Sequence, residues 1–254
     1  MEYILLGLVQ GLTEFLPVSS QGHLLLIYRL FHLTENIAFD TVLHLATALA
    51  AIVYFRRDIF DLFTSNRRLL WLVAAATFFT GLIGLSFKDF FESLFLAFEY
   101  VGPFFIVTGL VILAGEWAGK SRRGAERANF FDAAIIGIAQ GMSIVPSLSR
   151  SAMTISSALA LNLDRRFAAT FSFLVSIPAI LGAGFIQSKA IFKAGTIGIG
   201  IGPLALGFLA AFISGWFAIK IFMGVIQKTS LRVFAYYCII LGVAVVLLTY
   251  FKVI

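Results

Sequence analysis

The side chains able to do chemistry gather in two short stretches, residues 10–23 and 149–154. Gln10 and Glu14 are four apart, so a helix stacks them on one face, one turn from each other. A carboxylate over an amide oxygen offers hard donors to a divalent cation such as Mg²⁺ or Ca²⁺, which keeps several waters and takes phosphate oxygens. The same pair serves equally as a polar contact between helices, with Glu14 paired to Arg150. Ser19, Ser20, Gln21, Gly22 and His23 follow Pro17 as a run of hydroxyls, backbone N–H groups and an imidazole at a helix start, where anions bind. Ser19 or Ser20 can instead simply cap that helix. His23 is suited to take a proton from water or to attack phosphorus, or is a satisfied buried histidine. Ser149, Arg150, Ser151 and Thr154 form the second group, in which a guanidinium among hydroxyls forks two N–H donors onto phosphate or diphosphate oxygens. Asp40 and His44, one turn apart near the outer end of the first span, carry less weight, with Asp40 serving either as a cap or in a functional role.

These residues must be positioned in an unusual solvent. Of 254 residues, 60% are hydrophobic and only 13% charged, where a soluble chain carries about 25%. Phe alone accounts for 28 positions, and the mean hydropathy is +0.99. The composition excludes a soluble, disordered, collagenous or disulfide-built protein, since there are five prolines and one cysteine, Cys238. A net charge of +6 belongs to basic loops of a multi-pass chain rather than to a nucleic-acid partner. Residues 1 to 25 show no basic leader or cleavage site, so no removable signal peptide is expected.

Apolar runs of spanning length predict six transmembrane helices near residues 38–55, 69–87, 100–117, 167–186, 198–222 and 233–251. Residues 3–31 and 130–163 are apolar but broken by polar residues around Pro17 and Pro146. Each reads as two short helices joined by a polar turn that re-enters the membrane, since irregular backbone survives there only against protein or a wet cavity. The broken segments match at an ungapped offset of 130: Gly7 with Gly137, Gln10 with Gln140, Gly11 with Gly141, Thr13 with Ser143, Ser19 with Ser149. The expected fold is therefore all-α, a single membrane domain over 1–254 made of two halves, about 1–129 and 130–254, in an inverted-topology repeat. Segments 56–68, 118–129, 164–166 and 220–232 hold 13 of the 19 Lys and Arg. That bias puts both termini outside, opens the first hairpin outward and the second inward. Eight true spans would also leave both termini on one side, but with both polar centres in hydrocarbon. The Arg-rich loops are expected to serve topology and anionic headgroups, and Lys220 to snorkel. An ionisable residue deep in such a layer costs about 2.5 to 3.5 kcal/mol, so Glu14, His23 and Arg150 demand partners or a function.

The run from Gln10-Gly11-Leu12-Thr13-Glu14 through Pro17-Val18-Ser19-Ser20-Gln21-Gly22-His23 resembles the first signature of the undecaprenyl-diphosphate phosphatases of the bacitracin-resistance type. Gln140-Gly141 through Pro146-Ser147-Leu148-Ser149-Arg150-Ser151 resembles the second. The resemblance runs over nearly the whole chain, including Phe171-Ser172-Phe173-Leu174 and Arg56-Arg57. Two departures stand out: Ser147 and Ala152 occupy positions where the family usually has Gly, and Gln10 stands where many members carry Glu. The resemblance implies a metal-dependent hydrolase of the plasma membrane that converts the polyprenyl diphosphate to the monophosphate and recycles the lipid carrier for cell-wall synthesis. It implies that Glu14 and Gln10 hold the cation, that Arg150 with Ser149, Ser151 and Thr154 clamps phosphate, and that Ser19 lies in the same binding turn. His23 acts as base or nucleophile, and Ser20 binds phosphate or attacks. A homodimer is the family habit. A lipid-phosphate flippase or anion carrier would use Arg150 and the serines in the same way without Glu14 and His23 poised for hydrolysis. A structural scaffold explains neither the buried charges nor the repeat.

Overall fold

The computed structural model describes residues 1–87, 89–91, 98–119, 123–145, 147–194 and 198–253, without the side chains of 189–194. Pro146, Lys88, Lys120 and Arg122 lie outside the described residues, as do the side chains of Lys189 and Lys193. Eleven α-helices occur among the described residues: α1 (Glu2–Glu14), α2 (Ser20–Leu30), α3 (Ile37–Tyr54), α4 (Arg56–Phe63), α5 (Arg67–Ser86), α6 (Val101–Ala118), α7 (Phe130–Met142), α8 (Arg150–Ala160), α9 (Arg165–Ala194), α10 (Ile201–Val225) and α11 (Arg232–Tyr250).

Six helical stretches, Ile37–Tyr54, Arg67–Ser86, Phe98–Ala118, Arg165–Ser188, Ile201–Val225 and Arg232–Tyr250, are long and apolar enough to cross a membrane. They coincide with the six expected from apolar run length. The chain is thus a multi-pass helical protein whose outward side chains are themselves apolar, such as Trp71, Ile201 and Ile240. Helix α4 has no counterpart in the span reading. It forms in a basic connection because Leu62 is buried while its charged residues face outward, a local amphipathicity too short to register as a span.

Helices α1, α2, α7 and α8 have 13, 11, 13 and 11 residues. At 1.5 Å per residue each reaches roughly 16 to 20 Å, short of the ~30 Å hydrocarbon layer. α1 packs on α2 and α7 on α8, and α1 lies along α10 as α7 lies along α5. Small residues allow these close crossings. A Cβ on Gly7 would stand 2.4 Å from the Gly207 carbonyl oxygen, and one on Gly137 would stand 2.3 Å from that of Ala76. Gly11 meets Ala211 and Ser214, while Gly141 meets Thr80 and Ile83.

Three connections meet through arginines. Arg68 donates to the carbonyls of Glu126, at 2.7 Å, and Ala128. Arg123 reaches Asp132 and the Leu161 carbonyl, each at 2.7 Å. Arg165 donates to Glu116 at 2.5 Å and to Thr229 O at 3.3 Å, while Ser230 Oγ and Leu231 N also donate to Glu116. These loops, expected to meet headgroups, thus spend arginines on closing one end of the bundle. Lys220 rests its ammonium 5.2 Å from the Trp216 ring centroid.

Gly137→Ala must push α7 off α5 and is expected to lower stability by about 1 to 3 kcal/mol. Gly224→Ala, where a Cβ meets nothing within 4 Å, is expected to be neutral or slightly stabilising. Thermal unfolding in detergent checks both, and equal midpoints would contradict the packing account.

Candidate active site

Glu14 ends α1 and Arg150 begins α8, so each sits at the mouth of a turn between short helices. The two turns face each other. An Arg150 Nη–H donates to Glu14 Oε1, with the glutamate side chain 1% exposed and the arginine 20%. The other carboxylate oxygen accepts from Ser20 Oγ–H at 2.6 Å and Gln10 Nε2–H at 2.7 Å. That amide nitrogen also lies 2.8 Å from His44 Nδ1. His44 Nδ1 is itself 3.3 Å from Glu14 Oε2. The result is one network joining Gln10, Glu14, Ser20, His44 and Arg150.

The spacing of Gln10 and Glu14 produces the expected stacking, with the amide nitrogen toward the carboxylate. The Gln10 carbonyl oxygen is buried and has no hydrogen-bond partner. Its counterpart Gln140 reaches Thr80 at 3.2 Å and the Val175 carbonyl at 3.3 Å, and leaves its own Oε1 unpartnered.

The remaining hydroxyls mostly build the turns. Ser19 caps α2 by accepting from Gly22 N–H at 3.2 Å, and Ser149 caps α8 by accepting from Ala152 N–H at the same distance. Ser20 does not cap, being committed to Glu14. Ser151 donates to Leu16 O at 2.8 Å and so ties α8 to the first turn. Thr154 donates to Arg150 O at 2.9 Å and shares a 2.6 Å bond with Ser172. The Glu14–Arg150 contact opens on a crevice lined by Phe15, Ser151, Ser172, Phe173 and Ser176. Ser147, at a usual Gly position, adopts φ +65°, the left-handed conformation that glycine enters without steric cost. Asp40 is not a cap: Asn36 caps α3, and Asp40 accepts from Tyr28 O–H at 2.5 Å because it sits a turn too far into the helix.

His23 stands apart from this network. Its ring nitrogens engage Ser19 O and Tyr237 Oη, each at 2.7 Å, and no described hydrogen bond joins it to Glu14 or Arg150. Tyr237 is a site neighbour that sequence reasoning did not single out, and His44, named with Asp40, was given little weight. A histidine on the Asp40 face of an apolar span was the available signal for His44. Tyr237, an aromatic in a membrane helix, carries none.

A profile of the family described as bacitracin resistance protein BacA matches residues 3–244. The chain belongs to that family. It is 46% identical over 249 residues to an undecaprenyl-diphosphatase of Carboxydothermus hydrogenoformans, covering 96% of this chain and 95% of the relative. A Methanosphaera stadtmanae protein of the same name is 38% identical, over 97% of this chain and 96% of its own length. Undecaprenyl-diphosphatase 4 of Bacillus thuringiensis is 39% identical, over 98% and 97%. The resemblance carried by two short motifs thus extends over residues 3–244.

Glu14→Gln and Arg150→Gln each strand the opposite partner in a dry site and are expected to cost about 3 to 5 kcal/mol. The double variant should lose less than the sum of the two, with a coupling of about 1 to 3 kcal/mol. Unfolding titrations in mixed micelles read this directly, and additive losses would mean that the pair does not hold α1 to α8.

Proposed function

We propose that this BacA-family protein is an integral membrane phosphatase that hydrolyses undecaprenyl diphosphate to the monophosphate and inorganic phosphate, recycling the lipid carrier for cell-wall synthesis. The observation that carries the reading is the Glu14–Arg150 contact, which gathers acid, amide, hydroxyl and guanidinium from both signature motifs at one point. The site lies among helices of a multi-pass protein, where a prenyl tail is soluble and a diphosphate is not.

The four short helices are proposed to form two re-entrant hairpins within one membrane domain, in halves of about 1–129 and 130–254 related by an inverted repeat. Several contacts support this. Gly7 and Gly11 of α1 pack against Gly207, Ala211 and Ser214 of α10, while the equivalent Gly137 and Gly141 of α7 pack against Ala76, Thr80 and Ile83 of α5. Each half lends its partner the same three steps of a helix. Gln10 reaches α3 and Gln140 reaches the corresponding turn of α9. The basic loops that close one end of the bundle favour that end as cytoplasmic. The proposed location is then the plasma membrane, with both termini outside, the first hairpin opening to the outer face and a homodimer as the assembly.

Arg150 binds the diphosphate by exchanging Glu14 for phosphate oxygens, which is feasible because the guanidinium is the more exposed partner. Ser149, Ser151 and Thr154 surround it at the start of α8, where free N–H groups also favour an anion. Ser19 and Ser20 do the same for α2. Water attacks the terminal phosphorus, its proton passes to Nε2 of His23, and the bridging P–O bond breaks to release the lipid monophosphate.

Among the described residues, no group of three or more His, Cys, Asp or Glu is placed to hold a metal ion. One carboxylate beside a buried, unpartnered amide oxygen instead fits a hard cation that arrives with the substrate's phosphates. Glu14 and Gln10 would hold it, Mg²⁺ or Ca²⁺. When bound, such a cation neutralises the diphosphate and stabilises the charge that develops on the leaving oxygen.

A lipid-phosphate flippase or anion carrier needs the same arginine and releases no phosphate. Purified protein in detergent with undecaprenyl diphosphate and Mg²⁺ is expected to release inorganic phosphate. Glu14→Ala and Arg150→Ala are each expected to lose at least about 100-fold in rate, as expected for an electrostatic group at phosphorus. A chelator should abolish turnover, and added cation should restore it. Absence of phosphate from the wild-type protein would leave the carrier reading.

A further inference from the structure

We infer that Tyr237 is a positioning residue that holds the His23 ring through Nε2, the basic atom of the tautomer that the Ser19 carbonyl sets. The inference rests on the role of His23 in the reaction proposed above. His23 begins one turn into α2 and is held on three sides. Its Nδ1 lies 2.7 Å from the backbone carbonyl of Ser19. A carbonyl only accepts, so Nδ1 must carry the proton. Ser19 has φ +69°, an uncommon backbone conformation for a residue with a Cβ, and it places that carbonyl under the ring. In a neutral imidazole the lone pair then belongs to Nε2, and the Tyr237 hydroxyl, 2.7 Å away, donates to it. The two rings are parallel within 4°, with centroids 5.7 Å apart, and Phe105 meets the imidazole edge-on at 5.2 Å.

The placement of Tyr237 explains how a span residue reaches the chemistry. It lies on α11, 45% exposed, with Ile240 and Tyr236 on the outer surface nearby. The neighbouring Cys238 is buried, with its thiol directed at Pro17 O across 3.6 Å, so α11 is keyed to the first turn at two successive residues. Tyr237 therefore stands at the edge of the bundle, half-exposed, with its ring on the His23 ring and its hydroxyl on the imidazole. A phenol in that position needs a polar partner, and the one it has is the atom that a general base uses. Of the two histidines near the site, His23 and His44, His23 is the one outside the Glu14 network, and Tyr237 is the described hydrogen-bond partner of its Nε2. Substrate or water must displace the phenol to reach Nε2, and it then meets a lone pair already aimed outward.

Tyr237→Phe keeps the ring stack and removes the O–H. The chain has three histidines, so ¹⁵N-histidine labelling in micelles gives few signals, and His23→Asn assigns those of His23. In the wild type, Nδ1 is expected protonated and Nε2 bare but hydrogen-bonded. In Tyr237→Phe the Nε2 signal is expected to move toward that of a bare, unbonded nitrogen, while Nδ1 keeps its proton on the Ser19 carbonyl. For undecaprenyl diphosphate turnover, kcat is expected to fall about tenfold, with KM within about twofold of wild type. An unchanged ¹⁵N spectrum, an unchanged kcat, or a loss confined to KM overturns the assignment. Should the wild-type protein release no phosphate, the proposed reaction falls, while the nitrogen signals still decide whether Tyr237 sets the ring.

Discussion

A carboxylate and a guanidinium that meet in a dry interior constrain everything else in this molecule. Neither Glu14 nor Arg150 is tolerable alone at that depth, since an isolated charge in a low-dielectric layer must be neutralised, paired or brought to water. Their contact ties the end of α1 to the start of α8 across 136 residues of sequence. It requires both turns to come together, with small residues beneath them so that the short helices can lie close to their neighbours. For the proposed diphosphate substrate the pair would also set the terms of binding, because a phosphate that takes Arg150 must neutralise or displace Glu14.

Within the proposed repeat the two copies share a frame and divide the chemistry. Gln10 and Gln140 occupy equivalent places and reach equivalent helices, and the glycines one turn earlier in each helix seat it in the same way. Glu14 faces a position that is Ile144 in the other copy, and Ser20 one that is Arg150. Anion-binding character thus concentrates in the second turn, and acid and base character in the first. Such division suits phosphoryl transfer, which needs charge compensated on one side of phosphorus and a nucleophile aligned on the other. His44 in the first half corresponds to an ordinary carbonyl contact at Val175 in the second, which is why one glutamine joins a polar network and the other only braces a helix.

The serines show how structural and chemical duties combine. Ser19 and Ser149 accept from backbone N–H groups and so define where α2 and α8 begin. That cap aims the remaining N–H groups of each first turn at the space where phosphate is proposed to bind. Ser20, one residue later, is released from capping and turned to Glu14. Adjacent hydroxyls in one motif therefore differ in function because the helix starts between them.

Membrane character, the six spans and the two chemistry-bearing segments were legible from residue type alone, since hydrocarbon imposes long apolar runs and makes any charge within them conspicuous. The motifs Gln10–Glu14 and Ser149–Arg150 were legible too, because helical spacing is local. Helix α4 escaped because eight amphipathic residues in a charged loop give no span-length signal. Tyr237 escaped, and His44 was named without its partners, for a different reason: an imidazole and a phenol in apolar helices look alike whether they face lipid, core or site. Which face each turns is decided by packing between helices distant in sequence, and no pattern along the chain records it. The sequence by itself determined what this protein is made to live in and which groups it cannot leave unpaired. Only the tertiary structure decided which partner each of those groups found, because pairing in a low dielectric depends on ångström-scale contact between segments that the chain brings together only when folded.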